Sequence, residues 1–265
     1  MKYPTNAKSI IARIAVACAV LTASPSSRGP AAAADLNLLS AAAMQSVFKE
    51  IAGDFQRTTG HRLVIRYATM GSITERLRRG EDPDLVIGST QSITSLVQEG
   101  KISPDSQVPI CKTGVGMVVP AGTPKFEIAS VDDFKRALRG AKTIVYADPA
   151  GGGAAGIHVA RVIERLGLAE ELKGKTKLGA GGDITEVTLA EGSGALGITQ
   201  ISEIVGKRGA DFVGPLPGEL QNYTGVTAGI PSDHDLPSRS VASFLRYLQG
   251  PKAVAVIKAK GMEVD

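Results

Sequence analysis

This sequence predicts an α/β fold in two lobes, each a mixed, mostly parallel sheet flanked by helices, and three observations lead there. Runs of β-branched and leucine residues alternate with amphipathic stretches along the chain, the pattern of strands joined by helical crossovers. The corners between them are rich in Ala, Gly and Ser, and ligands of such sheets lie beyond the strand C-termini, where corners of this kind fall. No low-complexity linker interrupts the chain, so crossing strands are expected to join the lobes. The expected division gives 35–116 plus 226–265 to one lobe and 117–225 to the other.

Residues 1–34 stand apart. Lys2, Lys8 and Arg13 precede an apolar core from Ile14 to Ala23, too short to span a bilayer, and Ala31 to Ala34 offer small residues for cleavage before Asp35. This predicts a cleavable export signal and a periplasmic protein. Leu36 to Leu39 read as the first strand, leading into a helix with Met44, Val47, Phe48, Ile51 and Phe55 on one face and a stop at Gly60. Leu63 to Tyr67 make a second strand. Gly71-Ser72 form a corner, with Ser72 and Glu75 as a capping box. Asp84 to Ile87 form a third strand before a helix carrying Ile93, Leu96 and Val97.

The second half repeats the pattern. Val115 to Val119 read as a strand leaving the first module. Ile144 to Tyr146 form another, followed by Asp148-Pro149, a small-residue loop, and a helix striped with Ile157, Val159, Val162, Ile163 and Leu166. The loop at Ala154, Ala155 and Gly156 carries almost no side chain, so amide groups at the helix start can approach an anion directly. A Gly-rich corner serving packing alone is the plainer alternative. Gly151, Gly153 and Gly156 also satisfy G-x-G-x-x-G, but Asp148-Pro149-Ala150 separate them from the strand and no acidic strand end follows; no Lys-Ser/Thr pair makes a P-loop. Gly179 to Gly182 form a second such corner, with Asp183 and Glu186 capping the next helix. Ala195 to Thr199 make a strand ending at Gln200, and Tyr223 to Ile230 return. The last two helices carry Val241, Phe244, Leu245 and Leu248, then Val254, Ile257 and Met262.

Charge narrows the partners. The whole chain is +4, but the leader holds four basic residues and no acid, so its removal takes 30 basic residues to 26 against 26 acidic. A neutral mature chain offers no basic face for nucleic acid. Cys18 lies in the leader, so Cys111 has no disulfide partner and reads as an apolar filler. His61, His158 and His234 show no metal-ligand spacing, and neither a metal nor a cofactor is expected.

The first strand with its AAA corner, RYATMGSITERLRRGEDPDLVIGS, ADPAGGGAAGIH, LGITQISEI and FLRYLQGPKAVAVIKAKG together resemble the periplasmic molybdate-binding protein family, the type II solute-binding components of ABC importers. The resemblance covers nearly all of the mature chain and implies a monomer with two lobes closing over an oxyanion held by neutral donors, with an inner-membrane permease as partner. It also implies the ligand-binding positions. Ala43 stands where the family has a serine, with Ser40 nearby; Met70 occupies the second serine position, beside Gly71 and Ser72. Ala155, with Gly156, and Ile184 match main-chain donors, and Gln200 replaces a tyrosine. Three side-chain donors thus differ while two main-chain donors remain, which fits a molybdate-like oxyanion or an organic carboxylate. Arg66 and Arg76 could clamp a carboxylate but read better as surface charges.

The expected function is capture of a small anion for import. The alternative is an isomerase of an unsaturated tricarboxylate such as aconitate, known on a related scaffold, for which His158, Glu203 or Asp183 would have to serve as the base. No nucleophile–base spacing favours a hydrolase, and no catalytic residue is assigned.

Overall fold

The computed structural model describes residues 34–234 and 238–264. Apart from Ala34, the expected export signal lies outside the described residues. The first strands and helices are β1 (Asp35–Ala41), α1 (Gln45–Thr59), β2 (Arg62–Ala68), α2 (Met70–Arg78), β3 (Leu85–Ser89) and α3 (Thr90–Gln98). The long β4 (Val108–Pro120) leads to α4 (Val131–Gly140), β5 (Thr143–Ala147), α5 (Ala154–Arg165), α6 (Ala169–Leu172) and β6 (Thr176–Gly179). Then come α7 (Ile184–Glu191), β7 (Ala195–Gln200), β8 (Ala210–Pro215), β9 (Tyr223–Gly229), α8 (Arg239–Leu248), α9 (Pro251–Ala259) and β10 (Met262–Glu263).

The strands run in the order β2-β1-β3-β9-β4-β7-β5-β6, with β8 and β10 also on β4. Pairing is parallel within β2-β1-β3 and within β7-β5-β6. Between these groups β9 lies antiparallel to both β3 and β4. One strand serves both groups: β4 pairs with β9 from Val108 to Gly114 and with β7 from Val115 to Val118. The result is a two-lobed α/β fold whose parallel groups meet through antiparallel crossings.

Both faces of β1 are buried beyond the exposed Asn37, which explains why Leu38 and Leu39 follow one another. Leu36 and Leu38 pack with Phe48, Ile51 and Phe55 of α1 and Phe244 of α8, while Leu39 packs with Ile73 of α2 and Ile93 of α3. In the other lobe Ile144 and Leu196 pack with Phe134 of α4 and Val159 and Ile163 of α5; Val145 and Ala147 face Ile184 of α7.

Several local expectations need correction. Ser72 does not cap α2. Ala68 still pairs with Ala41, the chain stays extended through Thr69, and the Thr69 hydroxyl caps the helix by accepting from the Ser72 amide at 3.4 Å. Asp183 holds the N-cap position of α7 without making a cap bond; its Oδ1 accepts instead from the Gly181 amide at 3.0 Å, and Glu186 pairs with Lys207. Met262 lies past α9, in β10, because Gly261 takes a φ of 72° and turns the chain onto β4. The sequence reading passed over α4 and β8. Yet α4 carries a complete capping box, Ser130 with Asp133, and has a visible N-terminal signature.

Candidate functional site

A cavity of about 60 Å³ opens where the C-terminal ends of β1, β2, β5 and β7 converge. Ala41 to Ala43, Ala68 to Met70 and Ser89 form one wall; Ala147, Gly153 to Gly156, Gly181 and Gly182 form the opposite one. Thr199, Gln200, Glu203, Thr224 and Val226 close it. Small residues dominate because the two walls nearly touch. A Cβ on Gly182 would lie 2.6 Å from the Ala42 Cβ, and one on Gly71, beside the cavity, would lie 2.7 Å from the Gly151 carbonyl oxygen. Gly156 is required for a different reason. It seats α5 against the end of β5, where a Cβ would lie 2.3 Å from the Ala147 carbonyl oxygen.

The start of α5 offers donors to the cavity. Its N-cap, Gly153, has no side chain to supply a cap bond, so the first-turn amides of Ala154, Ala155 and Gly156 are left for a ligand. No lysine or arginine lines the cavity, so an anion there would be held by dipoles and neutral hydrogen bonds.

Two side chains add polar chemistry. Gln200 is 5% exposed; its Nε2 donates to Thr224 Oγ1 at 3.2 Å, and its Oε1 has no hydrogen-bond partner among the described residues. Rotating the amide by 180° exchanges the two atoms, so Gln200 can present either an acceptor or a donor. Glu203 accepts from the Thr199 hydroxyl at 2.5 Å. Withdrawal from water pushes its carboxyl up to about 7, against the opposing effects of the Thr199 bond and Lys207.

Of the residues singled out from sequence, Ala43, Met70, Ala155, Gly156 and Gln200 meet in this cavity. Ser40, Gly71, Ser72 and Ile184 do not line it. Ser40 is fully buried in β1, its hydroxyl donating to the Ala41 carbonyl at 3.1 Å. Gly71 lies against the Gly151–Gly152 backbone. Ser72 sits one turn into α2, and the Ile184 side chain packs beneath the sheet with Val145 and Ala147. Of the three bases considered, only Glu203 reaches the wall; His158 Nε2 bonds the Leu220 carbonyl oxygen at 2.7 Å. Arg66 and Arg76 both face Glu81, at 2.8 and 4.0 Å. Burial pushes the Cys111 thiol up to about 12, as suits an inert filler. Ser89, Thr199 and Thr224 are wall residues that sequence reasoning missed. Ser89 and Thr199 were findable as hydroxyls at strand ends, but Thr224 is brought there by tertiary pairing alone.

Among the described residues no group of three or more His, Cys, Asp or Glu is placed to hold a metal ion, and no helix is long and apolar enough to cross a membrane. Comparison with known proteins gives a consistent lineage. The chain is 29% identical over 234 residues to a protein named aconitate isomerase from a Pseudomonas species, covering 86% of this chain and 87% of that one. It is 28% identical over 244 residues to the molybdate-binding protein ModA of Azotobacter vinelandii, covering 87% and 90%. The solved periplasmic molybdate-binding protein of Azotobacter vinelandii superposes with a TM-score of 0.72 at 21% identity, over 87% of this chain and 99% of that one. The model of the family described as bacterial extracellular solute-binding protein matches residues 36–263, and the chain belongs to that family, as a divergent relative of its molybdate binders.

Proposed function

We propose that this protein is exported to the periplasm, captures a small anion between its lobes, and delivers it to an ABC permease. The lobe division carried into this reading is 35–116 plus 226–265 against 117–225. The observation that carries it is the uncapped start of α5 opening into a cavity walled from both sides by small residues. A ligand touching both walls stabilises the closed arrangement over the open one, which is how capture becomes a signal to the permease. The test is a thermal-shift panel on the mature protein with molybdate, tungstate, sulfate, phosphate, and di- and tricarboxylates. A saturable rise in Tm with at least one anion is expected, and no shift with any of them would remove the reading.

Glu203 favours a second reading, an isomerase of an unsaturated tricarboxylate. A carboxyl held near 7 at the cavity wall is poised to take a proton from carbon at neutral pH, and one relative is named aconitate isomerase. In such a reaction Glu203 would remove a proton from the saturated carbon, the double bond would shift along the allyl unit, and the proton would return at its far end. Proton NMR of each binder in D₂O separates the two readings. Binding without chemical change supports transport, and appearance of an isomer supports the enzyme.

A further inference from the structure

Beside the inner cavity lies a wider chamber of about 460 Å³, and the two share Ser89, Ala154 and Thr224 as wall. No acidic side chain lines the chamber. Arg161 does line it, is exposed, and makes no hydrogen bond or ion pair among the described residues. This contrasts with Arg139 and Arg78, each paired with a carboxylate at hydrogen-bond distance. Ala154 and Arg161 lie seven positions apart on α5, and therefore on one face, with Cα atoms separated by about 10 Å along the axis. A helical side chain leans toward the helix N-terminus, so the Arg161 stem shortens that gap toward the α5 amides. The inner cavity takes little more than one carboxylate or one tetrahedral oxyanion, so any longer ligand must extend across Ala154.

We propose that Arg161 anchors a second carboxylate of a short organic polyacid whose first carboxylate sits on the open start of α5. The proposal rests on the anion-capture reading and narrows it, from any small anion to a polycarboxylate. Arg161 acts as a specificity-determining residue: a guanidinium fork holds a carboxylate by two parallel bonds, which a compact oxyanion in the inner cavity cannot reach.

The experiment is isothermal titration of wild type, Arg161→Gln and Arg165→Gln with succinate, citrate and tricarballylate, and with molybdate and butyrate as single-site controls. Arg165 lies on the same helix and donates to the Glu219 carbonyl, outside the chamber lining, so its variant removes the same charge without touching the proposed anchor. Arg161→Gln should weaken at least one polycarboxylate about tenfold while a control anion shifts less than twofold, and Arg165→Gln should leave polycarboxylate affinity within twofold. Equal loss in the two variants, or none in Arg161→Gln, overturns the anchor. Binding of a control anion with none of the three polycarboxylates overturns it too but leaves anion capture standing. Failure of all five probes, with no shift in the wider panel, removes both.

Discussion

The two sides of the cleft differ in how many helix starts they close: the Ala41–Met44 corner before α1 and the starts of α5 and α7 have no side-chain cap, whereas α2 and α3 do. On one side α2 and α3 are closed by their own strand-end hydroxyls: Thr69 accepts from the Ser72 amide at 3.4 Å and Ser89 from the Ser92 amide at 3.2 Å. On the other side Gly153 and Asp183 leave α5 and α7 without side-chain caps. A capped helix has already satisfied a donor that an anion would use. In the proposed capture, the α5 side would supply unpaired amides where a ligand docks, and α2 and α3, with starts already capped, would close over it.

Removing the open start should have the largest effect. In Gly156→Ala the new Cβ would meet the Ala147 carbonyl oxygen at 2.3 Å, and a backbone oxygen cannot step aside. Overpacking of this kind costs roughly 1–3 kcal/mol or more, and α5 must shift off β5 to relieve it. The expected result is a lowered Tm and at least a hundredfold weaker anion binding. A variant that binds as wild type would mean that the amides of α5 are not the docking point.

The pH dependence of the same wall comes next. Burial raises the Glu203 carboxyl from its ordinary 4.5 to about 7, so between these values the folded protein holds a proton that the unfolded chain has lost. Its contribution is complete below about 4.5 and is lost as pH rises through 7. At about 1.4 kcal/mol per pKa unit, the full span is at most about 3–4 kcal/mol, less whatever cleft water screens. Glu203→Gln should therefore match wild type in urea denaturation at pH 4 and exceed it at pH 8. Anion affinity of the wild type should fall through pH 7 as the carboxylate at the cavity wall ionises, and the variant should flatten that fall. Parallel stability curves for the two proteins would place the ionised Glu203 in water.

Much of this contrast was legible in the sequence, and the parts that were not share a cause. The uncapped start of α5 was readable because Gly and Ala show by their chemistry that they cannot cap. The cap of α2 was misread because both Thr69 and Ser72 are capping types, and only the pairing of Ala68 with Ala41 fixes where extended chain gives way to helix. Gln200 was identified through the family resemblance, as the residue standing where the molybdate binders have a tyrosine. Its partner Thr224 sits on another strand 24 residues away, and no local pattern links them. Glu203 follows β7 by a single turn, where sequence cannot distinguish a solvated carboxylate from one folded against a cavity. Arg161 was invisible for the same reason: an exposed helical arginine acquires meaning only from the chamber beside it.

Closure itself can be tested on the α2 side with Gly71→Ala. Gly71 lies in the first turn of α2, where alanine is intrinsically favoured over glycine by up to about 1 kcal/mol. Its Cβ, however, would lie 2.7 Å from the Gly151 carbonyl oxygen across the cleft. If the walls meet this closely only on closure, affinity should fall about tenfold with Tm unchanged; a lowered Tm without ligand would mean that they already meet in the empty protein. Small-angle scattering with saturating ligand should show less compaction than in wild type.

The smallest effect separates capping from binding. Thr69 lines the cavity through a side chain whose methyl would lie 3.0 Å from a Cβ on Gly181, while its oxygen is engaged with the Ser72 amide. If α2 is only a closing surface, Thr69→Ala removes one cap, lowers stability by about 1 kcal/mol, and changes anion affinity by less than threefold. Thr69→Ser keeps the cap oxygen and should restore stability. Should Thr69→Ala instead lose affinity tenfold with little change in Tm, the hydroxyl must turn from its own helix to the ligand. The asymmetry between the walls would then belong to the empty protein alone, with both sides donating once the anion is in place.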